Sequence, residues 1–455
     1  SLQLAVSVAE FLLFESRYEE AFALVTETLK APDAIANDLV RPILNGLHAF
    51  SAACCGDKKT ASEAIRACQA ESGQLTFRLA LARLYCVRAL ALIGEEGEAR
   101  NILAMIAPAV NERGWHNLSL QARAQMLLLQ EDGANEEGSI GILCAEMQER
   151  KVWYLQTLIG DDYRRLHELA VEARTAEEYA RYLLRRRLQL EVDVDGSLYP
   201  LLQVSTLGRL WIAQAGKPVA RSDDFSRTQR ECLALLAAAP EHRISQEEVQ
   251  LAFWPDSKPE KARSTLDTML SRLRGILKQK LDPYPVKKYL KLQKGVLSLE
   301  GVVVDAVEVA NGIARAREQV RRREFWQADI SYAMALSRWE GPFMPGSCNV
   351  DQTAVYARQL EQLCVDASLE WSNLLNESGQ TRRSIEVLSH TLDMDRCNEA
   401  VMKALYRSHM RDGNIAMAHQ LLQEFEGVMR AEGYSPTETA RVLASFKTSE
   451  NALDK

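Results

Sequence analysis

Apolar residues recur at helical spacing from the first positions to about residue 190. Alanine and leucine dominate there, and proline and β-branched runs are sparse. Short polar breaks divide this pattern: Glu15-Ser16-Arg17, Gly56-Asp57-Lys58 and Gly94-Glu95-Glu96. After each comes a small residue and an apolar face, as in Ala21-Phe22-Ala23-Leu24, Ala64-Ile65 and Ala99-Arg100-Asn101-Ile102. The steps from Ala21 to Ala64 and from Ala64 to Ala99 are 43 and 35 residues. They bracket the periods of paired-helix solenoids, so the region reads as a degenerate tetratricopeptide-like repeat. A single helix pair cannot bury its own apolar face, whereas stacked neighbours can. Residues 1–160 are assigned to this repeat region. Residues 161–199 are assigned to a helical connector, within which 161–191 read as a long charged helix ending in Arg185-Arg186-Arg187.

The pattern changes near residue 200. Leu202–Leu207 and Leu210–Ala213 alternate or run apolar over strand lengths, with Gly208 between them and a turn at Ala215-Gly216-Lys217-Pro218. Helical spacing returns over Thr228–Ala239 and stops at Pro240. Ser245-Gln246-Glu247-Glu248 is a capping box that opens a short helix. Pro259 suits the first position of a long helix to about Leu281. Tyr289–Leu292 and Val296–Leu299 around Gly295 predict a β-hairpin. From about Val302 the chain is expected to be helical to its end. Gly379 and Gly413 stand one 34-residue tetratricopeptide period apart, and Pro436 opens a last short helix.

This order (strands, three helices, hairpin) is that of a winged helix with an extra N-terminal sheet. On the third helix Ala262, Leu266, Leu270, Leu273 and Leu277 form one stripe, with Met269 and Ile276 beside it, so that stripe should face the core. Across from it lie Lys261, Arg263, Ser264, Asp267, Thr268, Ser271, Arg272 and Lys278. Arginine pairs with guanine edges and hydroxyls contact bases or phosphates, so such a face suits the major groove. The hairpin adds Lys287, Lys288, Lys291 and Lys294, placed to grip phosphate or enter the minor groove.

Charge sharpens this picture. The chain of 455 residues carries −7, which does not advertise a nucleic-acid binder. Between Pro200 and Glu300, however, there are 17 basic and 11 acidic residues, a net +6, so the remainder carries −13. From Lys258 to Lys294 there are 11 basic residues and three acidic ones, Glu260, Asp267 and Asp282. A basic amphipathic helix by itself is more often a solvated face. A basic helix and a basic hairpin together, within an otherwise acidic chain, point to double-stranded DNA.

Residues 201–446 resemble the SARP-type bacterial activators, which pair an OmpR-like winged helix with a bacterial transcriptional activator domain. The resemblance rests on Leu207-Gly208, Leu233-Ala234-Leu235-Leu236-Ala237, Phe253-Trp254-Pro255-Asp256 and Lys261-Ala262-Arg263-Ser264-Thr265-Leu266. It continues through Ser271-Arg272-Leu273-Arg274, Val304-Asp305, Trp339-Glu340-Gly341-Pro342-Phe343 and the repeats around Gly379 and Gly413. It implies that Arg263, Ser264, Arg272 and Arg274 are recognition-helix contacts. Arg274 lies nearer the apolar stripe, so supporting a phosphate or an internal acid is its alternative role. It also implies a helical-repeat activator domain beside the winged helix. Small members of that family begin near the winged helix, whereas this chain adds helical repeats upstream, as larger multidomain relatives do.

The expected fold is therefore mainly α, with tetratricopeptide-like helical repeats flanking an OmpR-like winged helix (200–300) with small β-sheets, and an activator domain at 301–447. The expected function is sequence-specific DNA binding by a transcription regulator, an activator by resemblance. The expected DNA contacts are Lys258, Lys261, Arg263, Ser264, Thr268, Ser271, Arg272, Arg274, Lys278, Lys288, Lys291 and Lys294. RNA polymerase or a second protomer is the expected partner of the C-terminal repeats, and a protein or small-molecule signal that of the N-terminal ones. The alternative is a helical-repeat scaffold whose winged helix docks protein.

Other chemistry is not indicated. The sequence has no P-loop, no G-x-G-x-x-G after a strand, no H-E-x-x-H and no zinc spacing among its seven histidines, so no cofactor, metal or enzyme activity is expected. Nine scattered cysteines without a C-x-x-C fit reduced, mostly buried thiols of a cytoplasmic protein. No apolar run is long enough to span a membrane, and no signal peptide is read at Ser1-Leu2-Gln3-Leu4. The missing initial Met points to a processed chain or a piece of a longer one. Arg185–Arg187 and Arg321–Arg323 read as solvated helix faces, and Trp254, Trp339 and Trp371 as packing residues.

Overall fold

The computed structural model describes residues 2–35, 37–71, 74–130, 139–281 and 286–447. Backbone contacts divide the chain into two compact units, 1–198 and 199–455. The chain passes from one to the other through the short strands Leu190–Val192 and Leu198–Pro200.

The first unit is a series of helix pairs, among them Leu2–Phe14 with Tyr18–Lys30, Arg41–Cys54 with Lys58–Gln69, and Phe77–Ile93 with Glu96–Glu112. The breaks fall where the sequence pattern places them, and Gly56 and Gly94 take left-handed backbone at two of them. Ala21, Ala64 and Ala99 are buried, the small residues at which helices meet. Gly46, inside the Arg41–Cys54 helix, shows how close that meeting is. A Cβ on it would lie 2.7 Å from the carbonyl oxygen of Ala82 and 2.8 Å from its Cα. Alanine is the better helix former by about 1 kcal/mol. Gly46→Ala is nevertheless expected to destabilise the first unit by about 1–3 kcal/mol, because two backbones must separate. A lowered melting temperature checks this, and a raised one would show that the helices have room.

The stretch read as one connector helix is two, Gly160–Glu172 and Glu177–Leu188, separated at Arg174 and Ala176, which both have positive φ. Both pack inside the unit. Tyr163, Leu166, Leu183 and Leu184 share a core with Leu120, Leu143 and Leu155. Arg88 donates to the buried Asp162 carboxylate, which also accepts from the backbone N–H of Ile159 at 2.8 Å. Left-handed backbone at Arg174 and Ala176 breaks the helix, and apolar positions on both charged pieces bury them in the unit.

The second unit opens with a four-stranded sheet in the order Lys217–Arg221, Trp211–Gln214, Leu202–Ser205, Val302–Val304. The first three strands are antiparallel. The last pairs parallel to Leu202–Ser205. Val302–Val304 corrects the expectation of helix from Val302 onward: three β-branched residues complete a sheet begun a hundred positions earlier, and the helix starts at Asp305. The turn at Ala215-Gly216 is as expected, but the strand after it was not. Its residues are mostly exposed and include Pro218, which an edge strand tolerates.

The winged helix follows. Helices Arg227–Ala238, Gln246–Phe253 and Pro259–Lys280 pack on a three-stranded sheet of Arg243–Ser245, Val296–Leu299 and Leu290–Gln293. The Ser245–Glu248 capping box forms in both directions, at 3.1 and 3.0 Å. Beyond it run helices Asp305–Arg321, Phe325–Leu336, Asp351–Glu377, Thr381–Met394, Glu399–Arg411, Ile415–Ala431 and Pro436–Lys447. Gly379 and Gly413 end their helices in left-handed backbone.

The winged helix and these C-terminal helices share one apolar core, from Tyr199 through Leu273 and Trp339 to Leu405. Two contacts lock them. The Asp305 carboxylate accepts from Ser205 Oγ (2.9 Å), the Thr206 N–H (2.8 Å) and hydroxyl (2.5 Å), and the Leu207 N–H (3.1 Å). The Trp339–Phe343 segment lies against the same stretch: Gly208 N–H donates to Pro342 O at 2.9 Å and Met344 N–H to Thr206 O at 2.7 Å. Gly208 and Gly341 must both lack a side chain here, since a Cβ on Gly341 would stand 2.9 Å from Gly208 Cα. Trp339 and Trp371 are buried, as packing residues should be.

Among the described residues, no helix is long and apolar enough to cross a membrane. All nine cysteines are free thiols, and Cys55 is the exposed one.

Candidate nucleic-acid interface

The Pro259–Lys280 helix is oriented by its apolar stripe. Ala262, Leu266, Met269, Leu270, Leu273 and Leu277 are all buried. Burying each leucine is worth about 1.5–3 kcal/mol, so the four together set the helix rotation against any competing polar contact. The opposite face is thereby left in solvent. Lys261, Arg263, Ser264, Asp267, Thr268, Ser271, Arg272 and Lys278 are exposed, as is Lys258 just before the helix. Arg263, Ser264, Asp267, Thr268, Ser271 and Arg272 line one shallow depression.

Among the described residues, the side chains of Lys258, Lys261, Arg263, Arg272, Lys278 and Lys294 make no hydrogen bond or ion pair. Other basic residues of the same stretch are already engaged. Lys280 pairs with Asp224 at 2.8 Å, and that hydrogen bond holds the Asp224 carboxyl below its usual range.

Three of the expected contacts have partners within the protein. Arg274 points inward, and its guanidinium donates twice to Leu290 O at 3.3 and 3.2 Å, tying the helix to the first hairpin strand. Its internal partner is thus a backbone carbonyl rather than an acid. Lys291 pairs with Glu300 at 2.7 Å and is 14% exposed. Burial alone would raise the Glu300 carboxyl, but hydrogen bonds from Lys291 and Ser298 outweigh it and hold it below the ordinary value. Lys288 is half-buried, with its ammonium 5.2 Å from the centre of the Tyr199 ring. Alternation along a strand cannot reveal these roles, because each depends on a partner from another element. Asp282 lies outside the described residues.

The hairpin turn is Lys294-Gly295, closed by the Gln293–Val296 pair. Both turn residues have positive φ, 50° and 78°, as a two-residue hairpin turn of type I′ requires. Glycine adopts this without strain. A lysine does not, and it holds a charge at the tip where asparagine would be the relaxed choice.

Sequence reasoning missed the neighbouring helix start. Ser226, Thr228 and Trp254 line a second depression that Ser264, Thr268 and Arg272 also border. Ser226 caps the Arg227–Ala238 helix, with Ser226 N–H donating to Gln229 Oε1 at 2.8 Å. A helix N-terminus favours anions, so it adds phosphate-binding character beside the exposed face. The signal was present as Ser226-Arg227-Thr228-Gln229, a capping box of the same form as that at Ser245.

Comparison with known proteins bears on the second unit. Residues 304–445 match the family model of the bacterial transcriptional activator domain. No curated protein matches the chain. Among solved structures, Mycobacterium tuberculosis EmbR in complex with a low-affinity phosphopeptide is 17% identical, with a TM-score of 0.41 over 56% of this chain and 71% of that one. Yeast Tom70 is 11% identical, with a TM-score of 0.17 over 100% of this chain and 96% of that one. The helices of residues 304–445 are thus similar to a bacterial transcriptional activator domain. The winged helix precedes them, and a helical-repeat region lies upstream.

Proposed function

We propose that this regulator binds double-stranded DNA sequence-specifically, with residues 200–300 as the DNA-binding part and 301–447 as the activating part. The observation that carries this reading is the exposed face of the Pro259–Lys280 helix, whose lysines and arginines have no partner among the described residues. In the proposal this helix enters the major groove, with Arg263, Ser264, Thr268, Ser271 and Arg272 toward base edges and Lys258, Lys261 and Lys278 toward phosphates. Lys294, at the hairpin tip, and the capped helix start at Ser226 meet the backbone on either side. Arg274 and Lys291 position the hairpin rather than touch DNA, and Lys288 borders the contact. Activation is the reading favoured by the name of the C-terminal domain family. RNA polymerase or a second protomer would be met by that domain, and a protein or small-molecule signal by the N-terminal repeats, whose stacked helices offer a partner surface.

The test is binding of the full chain to duplex DNA from upstream of its own gene and to random duplex, with and without Arg272→Ala. Wild type should prefer the upstream DNA. Arg272→Ala should weaken specific binding about 10- to 100-fold and lessen the preference, as loss of one bidentate base contact does. Unchanged affinity and preference would show that another element reads the DNA.

A second reading, a scaffold whose winged helix docks protein, is favoured by one observation. Glu260 and Asp267 stand on the same exposed face as the cations. Absence of binding to either duplex would leave that reading.

A further inference from the structure

Asp267 is out of place on a surface built for a polyanion. It sits midway along the Pro259–Lys280 helix, one turn after Arg263 and one turn before Ser271, and it is exposed. Among the described residues its carboxylate makes no hydrogen bond or ion pair, although Arg263 stands four positions before it. With arginine preceding the acid, that spacing is the weaker order for a helical ion pair. Among the described residues, Asp267 therefore neither caps, bridges nor neutralises anything. In a DNA groove lined by phosphates, an unpaired carboxylate repels unless it meets a hydrogen-bond donor.

The major groove presents few donors. Guanine offers N7 and O6, both acceptors, and thymine offers O4 and a methyl group. The donors are the amino groups of adenine N6 and cytosine N4. Adenine N6 is flanked by the acceptor N7 on one side and by O4 of its paired thymine on the other. Cytosine N4 has the C5–H edge on one side, so it is the donor a carboxylate can approach with less repulsion.

Resting on the DNA-binding reading above, we infer that Asp267 determines specificity by accepting a hydrogen bond from N4 of a cytosine and rejecting other bases at that position. The arginines beside it supply attraction for any groove. Asp267 supplies the selection against wrong ones, at some cost to affinity for unrelated sequence.

The experiment is selection from a pool of duplexes with a randomised core, using the full-length chain as wild type, Asp267→Ala, Asp267→Asn and Arg272→Ala, and sequencing the bound fraction. Asp267 is on the surface and without a partner among the described residues, so all variants should fold, and matching circular dichroism checks this. Wild type should enrich a motif with a fixed cytosine. Asp267→Ala should keep the other columns and lose that one, giving up about 10- to 100-fold discrimination there, while binding random duplex more tightly. Asp267→Asn should redirect the column toward adenine, whose N6 and N7 an amide can pair with. An Asp267→Ala motif identical to wild type, while Arg272→Ala alters its own column, would overturn this role and leave the DNA-binding reading standing. Failure of every protein to enrich any motif would overturn both.

Discussion

Asp305→Ala is expected to destabilise the C-terminal unit by about 3–5 kcal/mol, because it removes the acceptor of several charge-assisted hydrogen bonds at once. The carboxylate serves Ser205, both donors of Thr206, and Leu207, and also takes the N–H of Ala306 at 2.8 Å at the start of its own helix. Thr206 is 1% exposed, so water does not readily replace the lost acceptor. A carboxylate in the first turn of a helix is also favourably placed against the helix dipole. For a unit of this size, such a loss lowers the melting temperature by roughly 6–20 °C, at 2–4 °C per kcal/mol. Calorimetry of the whole chain reads it. Asp305→Asn, which keeps an acceptor of the same shape, should lose less. An unchanged melting temperature for Asp305→Ala would mean that the Gly208–Pro342 and Thr206–Met344 contacts hold this junction by themselves.

Affinity for random duplex is expected to fall about 150-fold between 50 and 200 mM salt, if four cations each displace a counterion from a phosphate. The four are Lys258, Lys261, Lys278 and Lys294, the phosphate-facing cations without an internal partner among the described residues. Cations already paired within the protein release nothing new, so Lys280 and Lys291 should contribute little to the slope. Lys294→Ala should reduce the slope by about one unit, uniformly across sequences, whereas Lys291→Ala should act through hairpin stability. Fluorescence anisotropy of a labelled duplex over a salt series measures this. A flat salt profile would count against phosphate contact by this face and favour the protein-docking alternative.

The contrast between Lys294 and Lys291 shows how far a charge count carries. Both are lysines of one hairpin, and composition weighs them equally. The fold places one at a turn tip in solvent and the other against Glu300. Arg274 and Arg272 differ likewise. They are two positions apart on one helix, and a rotation of about 200° separates a carbonyl of the neighbouring strand from open solvent. The helical wheel hinted at this, since Arg274 lay nearer the apolar stripe, but the Leu290 carbonyl it meets is not visible from one helix alone.

By itself the sequence determined the helical character of both flanking regions, the winged-helix order, and the polar face of the third helix. Each of these rests on local periodicity, on capping chemistry, or on glycine and proline at element ends, all confined to a few consecutive residues. The family resemblance at Val304-Asp305 and Trp339–Phe343 was also legible, though its purpose was not. Only tertiary structure decided that Val302–Val304 joins a sheet begun near residue 202, that Asp305 and the Gly208–Gly341 approach fuse the winged helix to the activator domain, and that Arg274 and Lys291 are fastened inside while Arg272 and Lys294 are not. Those outcomes depend on residues up to about 140 positions apart meeting in space, and no local pattern encodes which distant partner a strand, a carboxylate or a cation will find.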